Sequence, residues 1–239
     1  MSPMTNFALA CGLLFSGTVL ADEGYEATYK LAIGRLSVGK MERLFSIHAD
    51  GAYRFESKFR TTGLAALMRR EEVLETSSGF FIDGNYIPDA YSYLRKSKKK
   101  PRNISIRFRR ETESLETTIN GATSTSPLRN ELIDKLTFQA ALMHDLGSES
   151  EVLRYAITDR GKEKVYEPFV DGSAVVDTKL GEFSTLKVVR QRGTETKRTI
   201  FWCAPALDYL PVQISHRDSD GTETIVSLLS YRKTGTAEP

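Results

Sequence analysis

Cysteine is nearly missing from this chain: among 239 residues only Cys11 and Cys203 occur. Cys11 falls in an apolar N-terminal stretch expected to be removed, so no disulfide can form within the remaining chain, whatever its redox compartment. Histidine is as scarce, with only His48, His144 and His216. The sequence has no Gly-x-Ser-x-Gly, His-Glu-x-x-His or Cys-x-x-Cys motif and no glycine-rich phosphate loop. The serine-hydrolase elbow, the zinc-protease helix, the dithiol redox site and the nucleotide cradle therefore drop out, and no metal or cofactor is expected. A charge excess is lacking too. The 33 Lys and Arg against 31 Asp and Glu leave a net +2, too little to draw in a polyanion, so nucleic acid is not an expected partner.

Long apolar runs are confined to the start. From Phe7 to Ala21 there is no charge, and the run closes on Val19-Leu20-Ala21 before Asp22-Glu23. Small residues closing a short apolar run predict a secretory signal peptide over residues 1–21, cut after Ala21, with the N-terminal amine as its positive charge. The run is shorter than the roughly 20 apolar residues a membrane span needs. Ala8-Leu9-Ala10-Cys11 is a poor lipidation box, since Leu is missing at its third position before the cysteine. The expected address is the periplasm. Residues 22–239 are expected to form one β-rich domain, large enough to bury a core without staples.

What fills that domain is alternation. Tyr25, Ala27, Tyr29, Leu31 and Ile33 share one face of a first strand, and Met41–His48 meets Tyr53–Thr61 across Ala49-Asp50-Gly51. Turn signals recur at Asp83-Gly84, Asn120-Gly121, Asp171-Gly172 and Asp220-Gly221. Between them lie runs such as Ile104–Arg109, Leu115–Ile119, Val152–Thr158, Val165–Val170 and Leu186–Arg190. The pattern predicts a mainly β fold: a curved antiparallel meander, either an open barrel or a clam-like sandwich, rather than βαβ units. One mid-chain helix is expected over Asp134–Leu146, with Asp134 as N-cap and Gly147 as stop, dividing two meanders and covering an apolar sheet face. A shorter helical piece is expected over Leu64–Arg70.

Three features have chemistry to offer. The segment Arg95-Lys96-Ser97-Lys98-Lys99-Lys100-Pro101-Arg102 puts six cations into eight positions of a hairpin loop. It is either a solvated turn that blunts an edge or, through Lys96, Lys98, Lys99, Lys100 and Arg102, a contact with an anionic membrane surface. Glu71, Glu75, Asp134 and Glu182 could supply a carboxylate pair for a hydrolase acting on envelope glycan or lipid. Cys203, flanked by apolar residues beside Trp202, is expected to be a buried small hydrophobe rather than a nucleophile.

The second half carries a resemblance. Leu180-Gly181-Glu182-Phe183-Ser184-Thr185-Leu186-Lys187-Val188 precedes Phe201-Trp202-Cys203-Ala204-Pro205 and then Tyr209-Leu210-Pro211-Val212. With Tyr25-Glu26-Ala27-Thr28-Tyr29, Ser37-Val38-Gly39, Glu75-Thr76-Ser77, Pro88-Asp89-Ala90-Tyr91 and Asp134-Lys135-Leu136-Thr137, this resembles the bacterial domain-of-unknown-function family numbered 3108. That likeness implies exported proteins, typically of Gram-negative bacteria. A fainter similarity, through Trp202 and Pro211, is to periplasmic lipoprotein carriers, which are unclosed β-barrels with helices plugging an apolar concavity. The expected function is a binding or carrier module for an apolar or amphipathic cell-envelope molecule. Tyr29, Phe55, Phe59, Leu64, Leu67, Trp202 and Tyr209 are the candidate lining, and core packing is the competing fate for each. An envelope assembly protein docking through an exposed sheet edge is the remaining alternative.

Overall fold

The computed structural model describes residues 23–129, 131–191 and 196–235. The expected signal peptide, its cut after Ala21 and Cys11 lie outside the described residues. The alternating runs form strands as their period demands. β1 (Glu23–Ile33), β2 (Leu36–Ile47) and β3 (Ala52–Thr61) lead through a short helix α1 (Gly63–Met68) to β4 (Glu71–Ile82). The first meander continues with β5 (Asn85–Ser97), β6 (Arg102–Arg109), β7 (Ser114–Ile119) and β8 (Ala122–Pro127). A second meander follows mid-chain: β12 (Phe169–Thr178), β13 (Gly181–Gln191), β14 (Arg198–Ala204), β15 (Leu210–Arg217) and β16 (Glu223–Thr234). Asp83-Gly84 and Asn120-Gly121 make the expected tight turns, with positive φ at both residues of each pair (49° and 79°; 50° and 92°), the twist that suits two-residue hairpins.

β16 pairs antiparallel with β1, which fuses the two meanders into one antiparallel sheet of 13 strands in the order β12 to β16 and then β1 to β8. The sheet is not closed: β12 and β8 are its two edges. It is strongly curved, because inward residues from β1, β2, β3, β6, β15 and β16 all meet in one core. Adjacent residues Val188 and Val189, Ile200 and Phe201, and Ile214 and Ser215 are all buried. Since neighbours on a strand point to opposite faces, β13–β15 are covered on both sides.

Between the meanders lies α2 (Thr137–Gly147). It occupies the concavity of the sheet rather than capping it from outside. Leu136 and Ala140 enter the core around Tyr29 and Phe55, while Phe138, Ala141, Leu142 and Leu146 pack with Val188, Phe201, Cys203 and Ile214. A helix of about three turns is marginal alone; here nearly every side is packed.

Three expectations need correction. Asp134 belongs not to the helix but to a three-residue strand, β9 (Leu132–Asp134). β9 pairs parallel with β10 (Tyr155–Asp159), which pairs antiparallel with β11 (Lys162–Tyr166). The chain therefore contains one small βαβ unit, β9–α2–β10, which alternation could not reveal in so short a strand. Val152 is exposed and lies before β10. Finally, Asp171-Gly172 is not a hairpin turn. The chain breaks earlier, between Tyr166 and Phe169, and Gly172, with φ of 82°, sits where the register of β12 shifts between Val170 and Ser173: a bulge that bends an edge strand.

Candidate functional site

Successive antiparallel strands place alternate loops at opposite ends of the sheet. At the end where β1 begins, α2 stops short of filling the concavity, leaving a cleft of about 560 Å³. Its wall is a chain of aromatic rings. Tyr25 stacks on Tyr231 with centroids 6.2 Å apart and lies 5.6 Å from Phe45. Phe45 meets Tyr86 edge-on at 6.2 Å, Tyr86 lies 4.7 Å from Phe81, and Phe81 meets the His144 ring at 4.9 Å. Ala140, Met143, His144 and Gly147 of α2 close the opposite side. Offset and edge-to-face contacts of this kind hold rings in place, so the rings of the wall brace one another.

The rim is polar and of mixed charge. Lys233 Nζ donates to Asp208 Oδ2 at 2.8 Å, and Glu23 lies on the same rim. Asp208 and Tyr209 follow the 3-10 turn Pro205–Leu207 and both adopt left-handed backbone, with φ of 52° and 59°. That conformation is unusual for a side chain as bulky as tyrosine. It presents the Tyr209 ring to the helix end, close against the backbone of Gly147.

Deeper in the molecule is a buried polar cluster. Asp134 Oδ1 accepts the backbone N–H groups of Leu136 and Thr137 at 2.8 and 2.9 Å. Its Oδ2 accepts the hydroxyls of Ser77 and Thr137, each at 2.7 Å, and Tyr53 reaches Thr137 Oγ1 at 2.9 Å. The helix N-cap is therefore Leu136 and not Asp134, whose carboxylate instead holds the turn between β9 and the helix. Burial nevertheless raises its carboxyl above the ordinary range, against the pull of those hydrogen bonds. Glu75, which accepts from Tyr91 Oη at 3.2 Å, is raised for the same reason.

Glu75 faces a second, smaller cleft of about 230 Å³, shared with Tyr91, Arg102, Lys135, Asp159 and Arg160. There Asp159 pairs with Lys135 at 2.5 Å and Lys164 at 2.6 Å. Burial opposes its ionisation, but the two ammonium groups outweigh it and hold the carboxyl well below the carboxylate range.

The residues singled out from sequence are dispersed. Tyr209 lines the aromatic cleft. Tyr29 and Phe55 are wholly buried in the core, Tyr29 beneath the Arg43 guanidinium at 5.1 Å. Phe59 and Trp202 are half-buried, and Leu64 and Leu67 stand on solvent. Lys98, Lys99, Lys100 and Arg102 are exposed at the β5–β6 connection, and Lys96 pairs with Glu72 at 3.4 Å. Of the four carboxylates, Glu71 is tied to Arg95 at 2.7 Å and Glu182 is exposed, and neither cleft is lined by two of them. Cys203 is free and buried, and burial pushes its thiol up to about 12. The rings that make the wall, Tyr25, Phe45, Phe81, Tyr86 and Tyr231, lie outside the candidate lining read from sequence. Tyr25 shares the face and the chemistry of Tyr29 and differs only in lying at the strand's open end.

Among the described residues no group of three or more His, Cys, Asp or Glu side chains could hold a metal ion. No helix among them is long and apolar enough to cross a membrane. The family described as a protein of unknown function (DUF3108) matches residues 25–228. No curated protein matches the chain. Among solved structures, the chain is similar to a β-barrel-like protein of the domain of unknown function DUF1849 from Brucella abortus. The TM-score is 0.60 at 12% identity, with 88% of this chain and 97% of that one covered. At that identity the likeness speaks for the fold alone.

Proposed function

We propose that this chain, which belongs to the DUF3108 family of proteins of unknown function, is a binding or carrier module for an amphipathic molecule of the cell envelope. On this reading it works in the periplasm after loss of residues 1–21. The observation that supports it is the cleft of about 560 Å³ walled by Tyr25, Phe45, Phe81, Tyr86 and Tyr231. Protein interiors are close-packed with few voids, and this volume falls in the range of small-molecule sites, about 300–1,000 Å³. An apolar tail would lie against the rings, and a polar head would meet His144, Asp208 and Lys233 at the rim. The carboxylate-pair hydrolase draws no comparable support, since no two of its carboxylates share a cleft.

The test is native mass spectrometry of the exported protein, as purified and after incubation with oleic acid, beside a Gly147→Leu variant. A Cβ at Gly147 meets only the Tyr209 ring, at 3.5 Å, so the larger side chain grows into the cleft without a backbone clash. Stoichiometric adducts on the native protein, lost in the variant, are expected. A native protein that emerges empty and takes up no fatty acid rules the reading out.

A further inference from the structure

The end of the sheet opposite the cleft carries a second surface. There lie the β1–β2 turn at Gly34-Arg35, helix α1 and the β5–β6 loop Lys98-Lys99-Lys100-Pro101. α1 is amphipathic in the inverse sense. Its two alanines, Ala65 and Ala66, are half-buried, and the helix packs on β2. Leu64, Leu67 and Met68 are 71%, 84% and 88% exposed. Their spacing of three and four places them on one stripe. A soluble helix ordinarily turns its large apolar side chains inward and leaves the small ones at the surface. Ile33 and Leu36, flanking the neighbouring turn, are also exposed.

Around this apolar stripe the charge left unpaired is mainly positive. Arg69 and Arg70 follow α1 directly, and the register Glu71↔Ser97 sets its exit one strand from the entry to the lysine loop, a separation of about 5 Å. The acidic groups beside them are already engaged: Glu71 with Arg69 and Arg95, Glu72 with Lys96. On the β15–β16 side, Asp218 pairs with Lys197 and Glu223 with Arg217, while Asp220 accepts the Thr222 N–H and, among the described residues, has no cation within ion-pair distance. Among the described residues Arg35, Arg70, Lys98, Lys99 and Lys100 have no carboxylate partner within ion-pair distance.

We infer that this end docks on an anionic lipid bilayer, with Leu64, Leu67 and Met68 entering the interface and Lys98, Lys99 and Lys100 lying over the headgroups. An exposed apolar stripe flanked by unpaired cations complements a surface that is apolar within and negative at its boundary. A neutral bilayer would leave the cations without partners. The inference does not rest on what fills the cleft, which lies at the far end, so the two can fail separately.

The experiment is co-sedimentation of the protein with phosphatidylcholine vesicles made with and without phosphatidylglycerol, at low and high salt. Binding is expected only with phosphatidylglycerol and is expected to weaken with salt. Lys98→Glu, Lys99→Glu and Lys100→Glu together should lower it about tenfold or more, and Leu64→Ser, Leu67→Ser and Met68→Ser together by about as much. Both sets lie at exposed positions, so Tm should hold. Lys179→Glu, at the opposite end, should stay within about twofold of the parent. Should the triple serine variant fail to fold, Leu67→Trp reports insertion as a blue shift confined to phosphatidylglycerol vesicles. Absent or lipid-indifferent binding, or unchanged binding by either triple variant, overturns the inference. So does a Leu67→Trp emission that phosphatidylglycerol leaves unmoved, or a serine variant that alters only the oligomeric state in light scattering.

Discussion

Ser77 donates a 2.7 Å hydrogen bond to Asp134 across 57 residues of chain, both side chains buried. The bond ties the middle of β4 to the end of β9, just before the turn that launches α2, and so fixes where the helix enters the concavity. Asp134→Ala would remove the acceptor of two backbone N–H groups and leave the Ser77 and Thr137 hydroxyls buried without it. The hydroxyls keep each other at 2.8 Å, so the two buried N–H groups left without an acceptor carry most of an expected loss of about 2–4 kcal/mol. Urea unfolding followed by circular dichroism measures it; a loss under about 1 kcal/mol would mean that the cluster is not what seats the helix.

Glu75 makes the opposite case. Burial raises its carboxyl above the ordinary 4.5, with Lys135 and the Tyr91 hydrogen bond pulling against it. Between the unfolded value and the raised folded value, the native state holds the proton more tightly than the unfolded chain does. Stability therefore falls as pH climbs through that window, and the full deficit is in place above the folded value. Glu75→Gln keeps an acceptor for Tyr91 and removes the titration. Its unfolding free energy, relative to the parent, should rise as pH climbs from about 4.5 through the neutral range. A constant difference across that range would show that Glu75 ionises in the native state as readily as in the unfolded chain.

Much of this architecture could be read directly from the chain. Tyr25, Ala27 and Tyr29 alternate inward, and Asp83-Gly84 supplies the two positive-φ residues a tight hairpin needs. Period and turn chemistry are local, and local signals survive in sequence. Asp171-Gly172 shows the limit. The same dipeptide chemistry that closes a hairpin also permits a bulge, and only the pairing partner on β13 decides which forms. β9 is too short to show a period, and its partner β10 lies beyond the helix. The cleft was the least legible. Phe55 and Phe45 face each other in register and touch edge-on at 5.3 Å, yet only Phe45 lines the opening. What separates a core ring from a wall ring is where α2 stops, which neither strand encodes.

That division can be measured with one pair of variants. Phe55 is fully buried, and Phe55→Ala opens a void the sheet cannot collapse around, so about 3–5 kcal/mol of stability should be lost. Tyr209 is half-exposed and held at a φ of 59°, where glycine sits without strain. Tyr209→Gly gives up the ring's contact with the helix end but relieves the backbone, so the net change in unfolding free energy should stay within about 1 kcal/mol. Oleic acid uptake should fall in the same variant, because the ring closing one side of the cleft is gone. If Tyr209→Gly instead unfolds as readily as Phe55→Ala, the strained turn is a structural clasp on α2 rather than a wall held for a ligand. The aromatic cleft would then have to be reassigned as unfilled core.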